Sequence, residues 1–524
     1  MGPGMAEEKK SLLFKLKPII DRMPAVSKPD GHVPFRTKMY WTIAILVFYY
    51  IMTNVFIYGL SRENTIDLFA SFRAILAGAQ GSILHLGIGP IVTGSIIMQL
   101  FTGAKIIKLD LKETEDKAIY QGTQKVLVVI MIVVEAVPQV FGYLTPSTTL
   151  TDNVGLGWSR SIIIFQLCVG SYLVFLMDEL VSKWGMGSGI SLFIAAGVAE
   201  QIFTGTVNWE GQQPGKPLGF NVGGSPNLPA GTIPRVWYAL SHMSTSDMTR
   251  GGFQMVFINP PNPVIAMLGT ILVFIIVSYA ESCRIELPLA HGKVRGARGR
   301  YPIRLIYASN IPVILIAALL ANINMFSLIM WNSQSLRGTF LGHNSWIGSY
   351  PLAGEASPSS PTGGFAYYVS SVNGLHSWLL PFINDDYIPP GDTKLKIIAH
   401  VVIYLTFMIG GSVVFAKFWI ETTNMGPEDV AKQIQSSGMQ IPGFRRDPRV
   451  LKKVLERYIP VVTVLSGAFV GALAAFADMV GTVGNSSGTG VLLMVGIIIR
   501  MYEQIGKEQA MEMHPVLRGF FGAD

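Results

Sequence analysis

The stretch Gly87-Ile88-Gly89-Pro90-Ile91-Val92 decides how the rest of the chain is interpreted. It opens an apolar run at about residues 87–106 with two glycines and a proline, residue types that interrupt regular helices. A second break, Asn310-Ile311-Pro312-Val313-Ile314, lies in another apolar run. Discontinuous spans in matching places are typical of membrane proteins whose two structural repeats enclose a pathway.

The composition is that of a membrane protein, since 50% of the 524 residues are hydrophobic and only 14% are charged. A helix that crosses a bilayer needs about 20 mostly apolar residues. Seven clear runs of this kind lie at 39–58, 118–142, 161–181, 262–282, 305–330, 396–416 and 458–480. Three shorter or punctuated runs lie at 87–106, 188–206 and 489–505. The sequence therefore predicts ten transmembrane helices and no soluble domain.

The basic residues indicate the orientation of these spans. Most of the 40 Lys and Arg residues lie in the stretches 1–38, 103–125, 182–187, 283–304, 416–457 and 500–524. Because cytoplasmic loops of membrane proteins are enriched in Lys and Arg, this distribution predicts a multi-pass membrane protein with both termini in the cytoplasm. The alternation between loops that are rich and poor in Lys and Arg requires all ten spans.

The spans divide into two halves of five, and an odd number of spans per half makes the repeat inverted. The first half covers 39–206 and the second 262–505. We expect the other segments to be a cytoplasmic amphipathic N-terminal helix with a basic segment at 5–38, external loops at 207–261 and 331–395, cytoplasmic loops at 283–304 and 416–457, and a cytoplasmic tail at 506–524.

The helix-prone segment 67–83 follows an external turn and carries Arg73, so it cannot comfortably face lipid. It is either an interfacial helix on the external surface or a helix that re-enters a protein-lined cavity, where irregular backbone is tolerated.

Ionisable residues are scarce within the spans, which argues against a proton-coupled pump. Glu135 is the clear exception, and it is either a functional group or a hydrogen-bonded structural residue. We expect Asp178, Glu179, Glu281 and Asp478 to lie near span ends, where water or lipid headgroups are accessible.

Two inner loops, around His291–Arg300 and Phe444–Arg449, are strongly basic and are expected to be flexible and exposed. Ordinary headgroup contact explains such charge. Contact with a phosphate-rich surface such as ribosomal RNA is the alternative.

Nothing in the sequence indicates enzyme chemistry, a cofactor or a metal. Phosphate-binding and zinc-hydrolase motifs are absent, and Gly484-Asn-Ser-Ser-Gly488 matches a nucleophile motif only by letter, in a short turn between spans. Asn485 fits a glycosylation acceptor, although its closeness to the tenth span disfavours modification. Cys168 and Cys283 lie in or beside apolar runs, so neither a disulfide nor a metal site is expected.

Several separated motifs resemble the SecY family, most closely its archaeal members. They are Gly87–Thr93, Asp178–Ile190, Pro288–Gly292, Tyr301–Ile303, Ser309–Ile314 and Arg500–Gln504. The resemblance implies an all-α fold with ten helices in two inverted halves around an hourglass pore closed by a plug helix. It implies the pore subunit of a protein-conducting channel, which passes secretory chains across the membrane and releases transmembrane segments into lipid.

The same resemblance assigns roles to residues. It implies a pore ring of aliphatic side chains formed by Ile88, Val92, Ile190, Ile194, Ile314 and Leu493. It implies a plug at 67–83 that includes Leu68, Phe69, Phe72, Arg73, Ile75 and Leu76. A lateral gate is implied at Thr93, Glu135 and Asn322, and ribosome contact at Lys293, Arg295, Arg298, Arg300, Arg445 and Arg446. The implied partners are SecE-type and Sec-beta/SecG-type small membrane subunits, the ribosome, nascent polypeptides and membrane lipids.

Two other classes of protein share some of these features. A secondary solute transporter also uses inverted repeats and broken helices, but it concentrates polar groups at mid-membrane, whereas this chain places aliphatic residues at its helix breaks. A membrane-embedded insertase or scaffold without a pore would need neither a plug nor an apolar ring.

Overall fold

The structure is a computed structural model, and it is mainly helical over the residues that it describes. These are residues 12–31, 33–61, 76–103, 106–107, 113–142, 144–212, 218, 227–291, 298–304, 310–332, 339–340, 342–351, 360–389, 391–423, 425–436, 439–440, 448–484 and 486–513.

Ten long helices form the body of the molecule, one at each predicted span. They are α1 (Phe35–Thr53), α2 (Gly89–Gly103), α3 (Thr114–Gly142), α4 (Leu156–Trp184), α5 (Gly189–Val207), α6 (Val264–Ser282), α7 (Ile311–Asn332), α8 (Lys394–Thr422), α9 (Pro448–Val480) and α10 (Gly488–Met513). Within the described residues, eight of them, α3 to α10, are long and apolar enough to cross a membrane. The other two differ because α2 has only 15 residues and α1 carries Arg36 and Lys38 in its first turn.

The ten helices form two halves with the same internal packing. In the first half α2 packs on α3, α3 on α4, and α1 and α4 on α5; in the second half α7 packs on α8, α8 on α9, and α6 and α9 on α10. The halves meet where α5 contacts α10 and where α2 contacts α7 and α8. Because each half has five helices, the repeat is inverted, and the predicted architecture is confirmed.

Contacts between helix ends define two faces of the molecule. On the face that we call the terminal face, Lys38 of α1 lies 2.7 Å from Glu508 of α10, and Lys125 of α3 lies 2.5 Å from Glu179 of α4. On the other side, which we call the opposite face, the amide of Gly484 donates a hydrogen bond of 2.7 Å to the side-chain oxygen of Asn262.

Shorter elements cover both faces. A 3-10 turn Leu12–Leu16, a helix Lys17–Ile20 and a helix Pro427–Ser436 lie on the terminal face. The opposite face carries helices Thr148–Val154, Thr232–His242, Thr245–Asp247, Phe253–Phe257, Gly364–Val369, Leu375–Trp378 and Leu380–Ile383, a π-helix Met248–Gly252 and a 3-10 turn Asp385–Tyr387. The two long external connections thus contain ordered helices.

A small sheet follows α6. Strands β1 (Arg284–His291) and β2 (Arg298–Arg304) form an antiparallel hairpin, and β3 (Met439–Gln440) pairs with the end of β1. The cytoplasmic loop predicted at 283–304 thus contains two strands. Of the segment His291–Arg300, which was expected to be flexible, His291 and Arg298–Arg300 lie in these strands, and residues 292–297 lie outside the described residues. The cause of the strands is visible in the sequence, because Ile285, Leu287 and Leu289 alternate with other residues at the two-residue period of a strand. The all-α class holds for the membrane body, to which this sheet is an addition.

Candidate functional site

The break before α2 brings two aliphatic side chains to the centre of the molecule. Gly87 has a φ of 55°, and a Cβ there would lie 2.1 Å from the carbonyl oxygen of Leu76. Glycine is therefore required at position 87, where the backbone passes close to Leu76. The amide of Ile88 donates a hydrogen bond of 2.7 Å to that same carbonyl, and Val92 follows one helical turn later.

An aspartate near the end of α4 holds the first turn of α5. The amide of Ile190 donates a hydrogen bond of 2.8 Å to Oδ1 of Asp178. A Cβ on Gly189 would lie 2.5 Å from the Cα atom of Asp178, so a larger residue would push the two helices apart. The carboxylate thus acts as a cap for α5, and it positions Ile190 and Ile194, which lie one turn apart.

The second half repeats this arrangement on the opposite face. Oδ1 of Asp478, near the end of α9, accepts a hydrogen bond of 2.9 Å from the amide of Thr489. Oδ2 of Asp478 accepts hydrogen bonds from the hydroxyls of Thr489 (2.7 Å) and Tyr404 (2.6 Å). The first turn of α10 is therefore fixed to α8 and α9, and Leu493 lies one turn beyond Thr489.

Three of the four carboxylates expected near water or headgroups are instead enclosed by protein. Asp478 is only 2% exposed, Glu281 3% and Glu179 9%. Oε1 of Glu281 accepts a hydrogen bond of 3.2 Å from the side-chain amide of Asn310 and lies 3.6 Å from the guanidinium of Arg500. The expectation was wrong because residues close to span ends still face other helices, as Glu281 joins α6 to α7 and α10.

All six residues predicted for the pore ring belong to one apolar cluster. Ile88, Val92, Ile194, Ile314 and Leu493 are buried, with exposed fractions of 0 to 8%, and Ile190 is half-buried and packs against them. The six residues lie on α2, α5, α7, α10 and the turn before α2, and the cluster extends over most of the membrane helices of both halves. The centre of the molecule is a packed apolar core.

The three residues predicted for the lateral gate form one hydrogen-bonded group. The hydroxyl of Thr93 in α2 lies 2.8 Å from Oε1 of Glu135 in α3, and the side-chain amide of Asn322 in α7 donates a bond of 3.0 Å to that hydroxyl. Glu135 is 3% exposed. This polar group, which we call the seam cluster, links the two halves where α2 and α3 meet α7.

Sequence reasoning missed two polar contacts near the seam cluster. The side-chain amide of Gln139, one turn after Glu135 in α3, lies 3.4 Å from the sulfur of Met325 in α7. Within the first half, the side-chain amide of Gln124 donates a bond of 2.6 Å to the hydroxyl of Ser95. The sequence did indicate these contacts, because Gln139, Gln124 and Ser95 are uncharged polar residues inside apolar runs.

The predicted plug and basic loops are only partly described. Leu76 lines a small cavity together with Glu135 and Asn322. The other predicted plug residues, Leu68, Phe69, Phe72, Arg73 and Ile75, lie outside the described residues. Arg298 and Arg300 lie on β2, paired with Ala290 and Pro288. Lys293, Arg295, Arg445 and Arg446 lie outside the described residues.

Fold and site together define a class of protein. Two inverted halves that share a packed apolar core, with a polar cluster where the halves meet, are typical of a membrane channel or transporter. The family model SecY matches residues 82–502, and the model for the plug domain of Sec61p matches residues 47–81. The chain belongs to the SecY family.

Curated relatives match over nearly the whole chain. The protein translocase subunit SecY of Haloferax volcanii is 45% identical over 97% of this chain and 99% of its own length. The SecY subunit of Archaeoglobus fulgidus is 42% identical over 98% of this chain and 99% of its own length.

Solved structures agree with the fold. A structure described as that of a protein conducting channel has a TM-score of 0.72 and 38% identity, over 95% of this chain and 98% of its own. Sec61 in the canine ribosome-channel complex from the endoplasmic reticulum has a TM-score of 0.70 and 38% identity over the same shares.

Proposed function

We propose that this chain is the pore-forming subunit of a protein-conducting channel. It carries secretory polypeptides across the membrane and releases transmembrane segments sideways into lipid. The observation that carries the proposal is the apolar core to which both halves contribute, together with the seam cluster that links the halves. The proposed work is transport without covalent chemistry, so it assigns no catalytic residue.

The aliphatic constriction suits a channel that must pass a chain and retain ions. Ile88, Val92, Ile190, Ile194, Ile314 and Leu493 form the proposed pore ring. Branched apolar side chains adapt around an extended polypeptide by changing rotamers, yet they offer an ion no replacement for its hydration shell. A solute transporter would need polar groups at this level, and the packed centre supplies aliphatic ones instead.

The seam cluster is the proposed lateral gate. Interhelical hydrogen bonds in membranes contribute about 0.6 kcal/mol each on average. Thr93, Glu135 and Asn322 therefore hold α2 and α3 against α7 weakly enough for an apolar signal helix to displace them. Glu135 has this role without proton transport.

Residues 67–83 are the proposed plug over the ring. Leu76 at the end of this segment touches the start of α2 through its carbonyl, which bonds the amide of Ile88. A movement of the plug would therefore act directly on the turn that carries the first ring residue.

The terminal face is proposed to be cytoplasmic and to receive the ribosome, with the chain placed in the cell membrane. One relative is Sec61 in a ribosome-channel complex, which supports this partner. The hairpin β1–β2 carries Arg298 and Arg300, while Lys293, Arg295, Arg445 and Arg446 belong to the same basic loops. Cations on a protruding hairpin suit the phosphates of ribosomal RNA. Small SecE-type and Sec-beta/SecG-type subunits are proposed as further partners in the membrane.

Threading a stalled chain tests the proposal. A ribosome carrying a secretory chain is bound to the reconstituted protein, with a photo-crosslinking residue in place of Ile194. Adducts between residue 194 and the chain are expected, while the same residue at lipid-facing Phe165, which is 69% exposed, should give none. Equal adducts at both sites, or none at residue 194, would refute the proposed path.

Removal of the plug is an independent test. Deletion of 67–83 should raise the frequency of ion-conducting events through the reconstituted protein, because the ring alone would then close the pore. Unchanged conductance would contradict the assignment of this segment.

A further inference from the structure

The helix Thr232–His242, in the connection between the two halves, exposes its apolar side and buries its charge. Ile233, Trp237 and Leu240 are 53%, 64% and 76% exposed. Their spacing of four and then three residues places them on one side of the helix. Arg235, on the other side, is 1% exposed. A helix on a water-facing surface has the reverse arrangement.

Backbone carbonyls hold Arg235 inside. Its Nε donates to the carbonyl of Pro229 at 3.2 Å, and its Nη1 donates to the carbonyls of Met255 (3.2 Å) and Asn259 (3.3 Å). Burial lowers the pKa of the guanidinium to about 10, so the side chain remains a cation at neutral pH. The surrounding loop is therefore built to accommodate a charge in its interior, and the apolar side of the helix faces outward.

Contacts at the start of this helix fix its level relative to the membrane helices. The hydroxyl of Thr232 lies 3.4 Å from the carbonyl of Gly205 in α5 and 3.2 Å from the carbonyl of Asn262, just before α6. The amide of Gly231 donates a bond of 2.8 Å to the carbonyl of Asn208. The helix therefore begins at the level where α5 ends and α6 starts.

Neighbouring turns of those membrane helices also expose apolar side chains. Phe203 and Val207 at the end of α5 are 67% and 39% exposed, and Ile265 and Leu268 at the start of α6 are 39% and 58% exposed. Because Thr232–His242 packs on both helices, exposed apolar side chains occur on three contacting helices at this end of the membrane body.

We propose that the helix Thr232–His242 lies in the headgroup region of the bilayer on the opposite face, with Ile233, Trp237 and Leu240 inserted among the lipid chains. Amphipathic helices with Trp and Leu on one side bind membrane interfaces in this way, and Trp favours the interface itself. The segment 208–263 is the covalent connection between the halves, so lipid contact would restrain that connection. This contact with lipid would occur whether or not the protein translocates polypeptides.

Fluorescence quenching in vesicles tests the depth of this helix. The full chain, with Cys168 and Cys283 replaced by Ser, is reconstituted into phosphatidylcholine vesicles. An environment-sensitive dye is attached to Leu240→Cys or, as the matched control, to Ser246→Cys in the same loop, where the native serine is exposed. A nitroxide lipid labelled near the headgroup should quench the dye at 240 several-fold more than at 246, and a water-soluble quencher should show the opposite preference.

A charge substitution gives a second measurement on the same helix. With the dye at 240, Trp237→Glu should reduce quenching by the nitroxide lipid and increase quenching from water, while Ser246→Glu should change neither. Folding should persist because Trp237 points outward. Equal access of water to 240 and 246 would overturn the proposal. Protection of 240 from both quenchers would also overturn it, because a protein subunit would then cover the helix.

Discussion

Single residues at the centre of the molecule have two separate tasks. Aliphatic side chains such as Ile194 and Leu493 fill the apolar core, and a few buried polar groups hold the surrounding helices together. Thr93, Glu135 and Asn322 connect the halves at the seam cluster. Asp178 and Asp478 instead fix the starts of α5 and α10, which carry residues of the proposed ring.

Asn322→Leu should make the seam open more readily. The change removes the hydrogen bond from Asn322 to Thr93, and about 0.6 kcal/mol corresponds to a roughly threefold shift toward the open state. Single-channel recording of the reconstituted protein measures the open fraction. The control is Ser95→Ala, which removes a bond between α2 and α3 within the first half. An equal effect of both variants would show that the seam position has no special role.

Asp478→Ala should destabilise the protein more than Asp178→Ala. Loss of a helix cap costs about 1 kcal/mol. Asp478→Ala also leaves the buried hydroxyl of Tyr404 without its partner, at a further cost of about 1–3 kcal/mol. Thermal unfolding in lipid nanodiscs measures the order of the variants, and Asp152→Ala at an exposed site should have little effect. A larger loss of stability in Asp178→Ala would show that the additional hydrogen bonds of Asp478 do not contribute the expected free energy.

At the scale of elements, irregular segments carry the functional features. The short α2 starts at a glycine turn, and the starts of α5 and α10 lie close against the preceding helices through Gly189 and Gly488. On the terminal face, the hairpin β1–β2 extends the chain beyond α6. A regular membrane helix satisfies its own backbone, and these departures from regularity add close contacts at the starts of α2, α5 and α10.

The double variant Arg298→Glu with Arg300→Glu should weaken ribosome binding. The plot of log affinity against log salt concentration falls with a negative slope. Each lost phosphate contact makes this slope less steep by about 1. Sedimentation of ribosomes with the reconstituted protein at several salt concentrations measures this slope. Lys394→Glu, a single charge reversal on the opposite face, provides the control. A slope that stays the same for the double variant would argue against RNA contact by β2.

For the whole molecule, the inverted repeat explains why the same contacts occur at opposite faces. Asp178 caps α5 near the terminal face, and Asp478 caps α10 near the opposite face, as expected if one half is turned over relative to the other. Both halves also contribute side chains to one shared apolar core.

Chemical labelling should place the two faces on different sides of the cell membrane. In a background without Cys168 and Cys283, a membrane-impermeant maleimide should label Ser377→Cys in intact cells. Lys507→Cys at the end of α10 should react only after permeabilisation. Both native residues are exposed, so accessibility to the reagent reports sidedness. Reaction of both cysteines in intact cells would contradict the proposed orientation.

Hydropathy and motifs predicted much of this protein correctly. All ten spans became helices, because about 20 apolar residues have no other stable way to satisfy their backbone in a bilayer. The two-residue strand period at Ile285, Leu287 and Leu289 was also present in the sequence. It did not lead to a strand prediction, because the segment was interpreted as a basic loop. The resemblance to the SecY family supplied Thr93 and Asn322, which hydropathy alone would not have distinguished.

The sequence by itself determined the number of spans and the family. Only the tertiary structure decided which polar residues meet, since Asp478 and Tyr404 are separated by 74 positions and Thr93 and Asn322 by 229. The glycine break at 87–89 marks a discontinuous span in the sequence. In the fold, it lets the amide of Ile88 donate a hydrogen bond to the carbonyl of Leu76. Such contacts depend on how separate helices pack, and periodicity along one helix carries no information about the identity of its neighbours.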